Sequence, residues 1–265
     1  MDPLSKLMQR YCFAYTATHD FSVADQIMAD DYSFYMGEHA FTGREEAYKP
    51  AADRQFKAYP GLGFTVHDFF SNGNRCAMFF SEHGHSLQYD TPTVWHGVSL
   101  YRWNGERLTE CRIEQDYYGR RRQLTSKVPD PIDPAAYAPW TVPVEKPNAE
   151  NERIVTEWIE MGGLLRSAVG SLDDEAVAPS IDRVLFTDES AKVIDILSAG
   201  KRVAFQVRID GAYAGGLKEL AGHEGARTSL FTTGIAYVEN GEITKVRAVT
   251  DRYTMERRVL AAAKG

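Results

Sequence analysis

Hydrophobic positions change period along this chain, and the changes divide it into elements. Leu4, Leu7, Met8, Tyr11, Cys12 and Tyr15 recur every three or four positions, the spacing of one buried helical face. Asp2 followed by Pro3 supplies the start, with a side-chain acceptor at the cap and a proline at the first helical position. A shorter helix, with Ser22 as its cap, is predicted through Ile27 and Met28, and Tyr32 to Met36 reads as a strand. Gly43 to Tyr59 is helical in composition, with a break at Pro50. After Gly61 the period becomes alternating. Phe64 to Phe70 and Arg75 to Leu87 are predicted as strands joined at Ser71-Asn72-Gly73-Asn74. Thr93 to Trp103 and Arg107 to Tyr118 form a second pair around Asn104-Gly105. Helices followed by a run of antiparallel strands make an α+β order.

The pattern then returns. Asn72 to Gly84 aligns without a gap on Ala199 to Gly211, and Asn104-Gly105-Glu106 answers Asn240-Gly241-Glu242. With one residue dropped, Arg112, Asp116, Tyr118 and Arg122 meet Arg247, Asp251, Tyr253 and Arg257. The shared order predicts a duplicated domain, with copies at residues 1–124 and 148–265. Between them, residues 125–147 carry six of the eleven prolines and read as an extended spacer, with Tyr137 and Trp140 laying it against a domain. The second copy opens at Asn148 with a helix striped by Ile154, Trp158, Met161, Leu165 and Val169 and weakened at Gly162-Gly163. It is shorter than the first where residues 22–60 would wall one side of a pocket.

A net charge of −7 argues against nucleic acid and anionic membrane as partners, and no apolar stretch reaches bilayer-spanning length. The start, Met1-Asp2-Pro3-Leu4, lacks a signal-peptide pattern. Cys12, Cys76 and Cys111 are odd in number and widely spaced, and read as buried free thiols of a reducing compartment. A cytoplasmic protein is expected. There is no phosphate loop and no dinucleotide fingerprint, so no cofactor is expected. His83-Gly84-His85 with His96 lacks the carboxylate that would complete a metal site, so no metal is expected either.

Six of the seven histidines fall in the first copy, which makes it the candidate active one. Alternation puts Thr65, His67 and Phe69 on one face of their strand, and Ala77, Phe79, Ser81, His83 and His85 on one face of the next. If these faces are concave, His67 and His83 share an apolar pocket, where burial favours the neutral imidazole of a base. Asp116 at a strand end suits proton abstraction next to a carbonyl. Asp251 repeats it, together with Arg112 and Arg247, so an Arg–Asp pair holding the strand end is an equal explanation.

Helices followed by two long hairpins resemble the cone-shaped fold of the nuclear transport factor 2-like superfamily. The closer resemblance is to its SnoaL-like branch of polyketide cyclases, ketosteroid-isomerase relatives and dehydratases. Asp116, Gly119, Gln123 and Leu124 fit the Asp-x-x-Gly-x-x-x-Gln-Leu that often ends the last strand there. The resemblance implies two cone-shaped domains, each with N-terminal helices packed on a curved antiparallel sheet. In the cyclases the residue at the Asp116 position is the general base, helped by an upstream histidine; Cys111 and Arg112 stand there in this chain. In scytalone-dehydratase-like members two strand histidines work with tyrosines and an aspartate of the first helix. His67 and His83 match those histidines and Tyr11 and Tyr15 remain as phenolic donors, while Thr16 and Ala17 replace the aspartate.

The expectation is a cofactor-independent acid–base enzyme, a dehydratase, other lyase or isomerase, acting on a small apolar oxygenated ring compound. His83 is the expected base, and His67 or a tyrosine (Tyr11, Tyr15, Tyr35) the acid or oxyanion donor. Asp116 orients or replaces the base, and Tyr35, Phe69, Phe79, His85 and Trp95 contact substrate. The copies are expected to pair as an intramolecular pseudo-dimer, with a homo-oligomer also open. The alternative is a non-catalytic protein that binds a hydrophobic metabolite or a protein partner.

Overall fold

Asp2 accepts hydrogen bonds from the backbone N–H groups of Leu4 and Ser5 and so starts α1 (Pro3–Arg10). In the computed structural model, which describes residues 1–178 and 183–264, this helix continues into a wide π-helical turn over Tyr11–Thr16. That turn is closed by Ala17 N donating to Cys12 O at 3.0 Å. α2 (Phe21–Ile27) is capped by Asp20 rather than Ser22. After β1 (Met28–Met36) and β2 (His39–Thr42), a second π-helical turn at Arg44–Tyr48 leads into α3 (Lys49–Ala58). Pro50 lies in the first turn of α3, where no partner is needed for the missing N–H, so it opens a helix instead of breaking one. β3 (Gly63–Ser71), β4 (Arg75–Ser86), β5 (Thr91–Trp103) and β6 (Leu108–Gln115) then form the two hairpins. β6 stops short of Tyr118 because Asp116 accepts from Gly119 N at 3.0 Å and caps α4 (Tyr117–Ser126).

The second half contains α5 (Ala149–Glu160), α6 (Gly163–Arg166), β7 (Gly170–Leu172), β8 (Leu185–Ala199), β9 (Arg202–Gly215), β10 (Arg227–Glu239), β11 (Glu242–Thr250) and α7 (Arg252–Ala262). Gly162, at φ 79°, ends α5 in the left-handed conformation, which accounts for the glycine pair inside an otherwise helical stripe. Two mixed sheets result, ordered β2-β1-β6-β5-β4-β3 and β7-β11-β10-β9-β8. β1 runs parallel to β6 and β7 parallel to β11; the other neighbours are antiparallel. Arg112 lies opposite Leu100 and Arg247 opposite Ile235. Asp116 N bonds His96 O and Asp251 N bonds Phe231 O, both at 2.9 Å. The residues aligned from the sequence thus hold matching ladder positions. Between β7 and β8 the described residues contain no counterpart of β2 or α3.

The two sheets pack back to back. Phe70, Ala77, Phe79, Val98 and Leu100 of the first meet Leu197, Ala199, Ala204, Ile235 and Val249 of the second in one buried cluster. Ion pairs flank it: Arg102 Nη2 to Asp195 Oδ1 at 2.7 Å and Arg202 Nη1 to Asp68 Oδ1 at 3.2 Å. At one end Arg252 reaches Asp116 and Asp174 at 2.8 Å and Asp173 at 3.1 Å, with the Tyr118 ring 4.7 Å from its guanidinium. On the other faces each half has its own core. α1 to α3 cover Cys76, Met78 and Phe80, and α5 and α7 bring Val155, Ile159 and Met255 to Val203, Phe205 and Val207.

The proline-rich segment closes the exposed edge of the first sheet. Ala136 N donates to Val66 O at 2.7 Å and Glu145 N to Ser71 O at 3.2 Å, both acceptors on β3. Trp140 is buried against Phe69 and Phe13, whereas Tyr137 is fully exposed and anchors nothing. Asp251 is buried and accepts from Phe231 N at 2.7 Å and Arg258 Nη2 at 3.0 Å. Asp251→Ala strands the Phe231 N–H and leaves Arg258 with Ser229 O and Glu38, and is expected to cost about 1–3 kcal/mol in a denaturant melt. Any turnover by the first half should be unchanged.

Candidate functional site

The concave face of the first sheet and the helices over it enclose a cavity of about 160 Å³. Phe34 and Met36 of β1, Phe56 of α3, Phe64 of β3, Phe80 of β4 and Ile113 of β6 give it apolar walls. Tyr11, Tyr15 and Thr16 come from the π-helical turn, and Tyr48, Tyr101 and Tyr117 complete a ring of hydroxyls. Burial raises these phenols well above their usual range, so they stay protonated and act as donors.

Glu82 is the one carboxyl in the lining. Alternation along β4 puts Met78, Phe80 and Glu82 on the concave side, and Glu82 sits opposite Trp95 in the ladder. Gln55 Nε2 donates to Glu82 Oε2 at 2.6 Å, and Tyr117 donates its hydroxyl to Gln55 Oε1 at 3.4 Å and to Gln115 Oε1. Arg120 lies over the rings of Tyr117, Trp95 and Tyr59, at 4.1, 4.8 and 5.5 Å from their centroids. Burial pushes the Glu82 carboxyl up to about 7; the Arg120 charge and the amides of Gln115 and Gln55 oppose this without cancelling it. A carboxyl that is half ionised near neutrality inside an apolar cavity is equipped to take and return a proton.

The sequence of this half matches the family model of the SnoaL-like domain over residues 8–111. Residues 8–111 form a SnoaL-like domain. Solved structures resemble it at low identity. AclR, a candidate hydroxylase from Streptomyces galilaeus, is 17% identical, covers 47% of this chain and 85% of its own, and has a TM-score of 0.42. A candidate SnoaL-like polyketide cyclase from Shewanella denitrificans is 20% identical over 47% of this chain and 98% of its own, with a TM-score of 0.41. A similar candidate cyclase from Shewanella putrefaciens is 16% identical over 47% and 87%, with a TM-score of 0.42. No curated protein matches the chain.

Within the SnoaL-like domain, Tyr11 and Tyr15 line the cavity and Trp95 flanks Glu82. Phe69 is buried on the same side of the sheet, but against Trp140 and outside the lining. The other expected residues lie elsewhere. His83 is on the opposite face of β4, half-buried, with Nε2 3.1 Å from Thr65 Oγ1. His67 sits in a bulge between Val66 and Asp68. Its Nδ1 is 2.9 Å from Pro134 O, its Nε2 is 2.7 Å from Ser81 Oγ, and it packs on Phe79 beside the second sheet. Tyr35 lies under Arg112, and His85 is exposed and pairs with Asp90 at 2.9 Å. Asp116 is held by Arg252 outside the lining, and neither Arg112 nor Arg247 is its partner or that of Asp251. The alternation holds along β4, where the face assigned to the cavity was the wrong one; along β3 the bulge breaks it, leaving Thr65 and Phe69 on opposite faces. His83→Ala should therefore leave turnover and melting temperature close to those of the parent protein.

Sequence reasoning passed over Glu82, Gln55, Gln115, Tyr117, Tyr48 and Arg120. A signal was present in the comparison of the copies. Ile209, opposite Leu230, holds the ladder place of Glu82, and the same offset that pairs Asp116 with Asp251 puts Arg252 at Tyr117 and Met255 at Arg120. Among the described residues, no three His, Cys, Asp or Glu side chains gather as a metal site, and no helix is long and apolar enough to cross a membrane.

Proposed function

We propose that the SnoaL-like domain is a cofactor-independent general acid–base catalyst acting on a small apolar oxygenated compound. The observation that carries this is Glu82, a buried carboxyl pushed up to about 7 inside an apolar cavity ringed by phenols. As the carboxylate it takes a proton from carbon next to a carbonyl. The negative charge moves to the carbonyl oxygen, where the hydroxyl of Tyr15 or Tyr11 donates a hydrogen bond. Return of the proton to a different carbon isomerises the compound; loss of a hydroxyl from the neighbouring carbon, as water, dehydrates it. Gln55 holds the carboxyl in place between turnovers.

The second half, residues 148–265, is in this reading a degenerate repeat that supports residues 1–124 across the segment 125–147, making the chain an intramolecular pseudo-dimer. Ile209 in place of Glu82 removes the base, and Arg252 in place of Tyr117 ties the halves together. The test is α-proton exchange of cyclohexanone in D₂O across pH. Since the carboxylate is the active form, the catalysed rate is expected to rise as pH passes through about 7 and then level off. An equal rate in Glu82→Gln would overturn the proposal. Binding without exchange would point instead to a protein that only holds a metabolite.

A further inference from the structure

Two hydroxyls in the cavity wall lack a well-made hydrogen bond. Tyr15 is 1% exposed and Thr16 4%, and both line the cavity; Thr16 Oγ1 has no hydrogen bond within the protein, and Tyr15 has only the neighbouring Tyr48 hydroxyl to turn to. Buried hydroxyls are nearly always paired, and leaving two so poorly paired in one wall is costly. The backbone itself turns them inward. In a regular α-helix Thr16 would point about 100° away from Tyr15 and would not stack on Tyr11. The π-helical turn over Tyr11–Thr16 widens the spacing to five residues and brings Tyr11, Tyr15 and Thr16 to one wall. Wide turns of this kind recur at functional sites.

Size and charge narrow what the hydroxyls meet. The cavity, about 160 Å³, is close to the roughly 150 Å³ of an engineered apolar cavity that holds benzene. No lysine, arginine or histidine lines it, and Glu82 becomes an anion above neutrality. An anionic ligand would meet a like charge in a low-dielectric space, where the nearby cation, Arg120, already faces Glu82 from behind the Tyr117 and Trp95 rings and outside the lining. Each of the two hydroxyls has a proton to give, and one acceptor oxygen can take both.

We infer that the cavity takes an uncharged compound of about one ring, whose hydrogen-bond-accepting oxygen is bound jointly by Tyr15 and Thr16. Thr16 is then the residue that selects for that oxygen. The inference rests on the acid–base reading only in taking this cavity as the site.

Acetophenone, benzoate and toluene separate the contributions, since they share a ring and differ in charge and acceptor. At pH 8, calorimetry or ligand-observed NMR should show acetophenone binding more tightly than toluene, and benzoate not binding. Thr16→Val should weaken acetophenone by about three- to tenfold and leave toluene unchanged. It should not lower the melting temperature, because the hydroxyl it removes has no partner to lose. Tyr15→Phe is the independent second variant, with the same pattern expected. Benzoate binding as tightly as acetophenone would overturn the inference. So would equal losses for acetophenone and toluene, a lower melting temperature in Thr16→Val, or no binding of any probe. Acetophenone binding with this pattern but without α-proton exchange would remove the acid–base reading and leave the inference standing.

Discussion

Glu82→Gln is expected to lower α-proton exchange by about 10²–10⁴-fold and, at pH 8, to make the protein more stable. The two effects have one cause. Glutamine keeps the shape of the side chain, loses the base, and has no charge to desolvate. The folded carboxyl titrates near 7 and the unfolded one near 4.5, so between these values only the folded state holds the proton. Stability contributed by that proton is present in full below the unfolded value and is lost as pH rises through 7. The difference is worth about 3 kcal/mol at most. Denaturant melts of parent and variant should therefore diverge through this window in favour of the variant, and converge below about pH 4.5. A variant that is inactive and less stable at pH 8 would mean that Glu82 is held as a structural anion.

Arg252→Leu should produce the largest loss of stability, about 3–5 kcal/mol. The side chain is 3% exposed and lies within 3.1 Å of Asp116, Asp173 and Asp174. Leucine would leave three buried carboxyls facing one another, one of them, Asp173, already pushed up to about 7 by burial. The loss should shrink at low pH, where these groups take up protons. Asp116 is the first half's contribution to this cluster, so Asp116→Asn should alter the melt and spare exchange per folded molecule. A large fall in turnover by stable Asp116→Asn protein would return Asp116 to the catalytic site.

The elements were legible where local chemistry decides them. Asp2-Pro3, the Asn-Gly turns at Gly73 and Gly105, and the proline-rich run each act through backbone geometry that neighbouring residues cannot override. The aligned residues were legible too: Arg112 and Arg247, and Asp116 and Asp251, hold the same register in their ladders. The concave face was not. β4 is buried on both sides, by the helices over Met78 and Phe80 and by the second sheet over Ala77 and Phe79, so its apolar residues do not mark a face. The bulge at His67 shifts the parity of β3 as well. Histidine content then pointed to the side where His67 meets Pro134 and Ser81, and away from a single glutamate among apolar neighbours.

The most direct test of Glu82 as the poised base is carboxyl ¹³C NMR of the protein labelled at glutamate, recorded across pH beside Glu82→Gln. One resonance, absent from the variant, is predicted to titrate near pH 7. A Glu82 resonance that titrates between about 4 and 5, with the ordinary glutamates, would contradict the account.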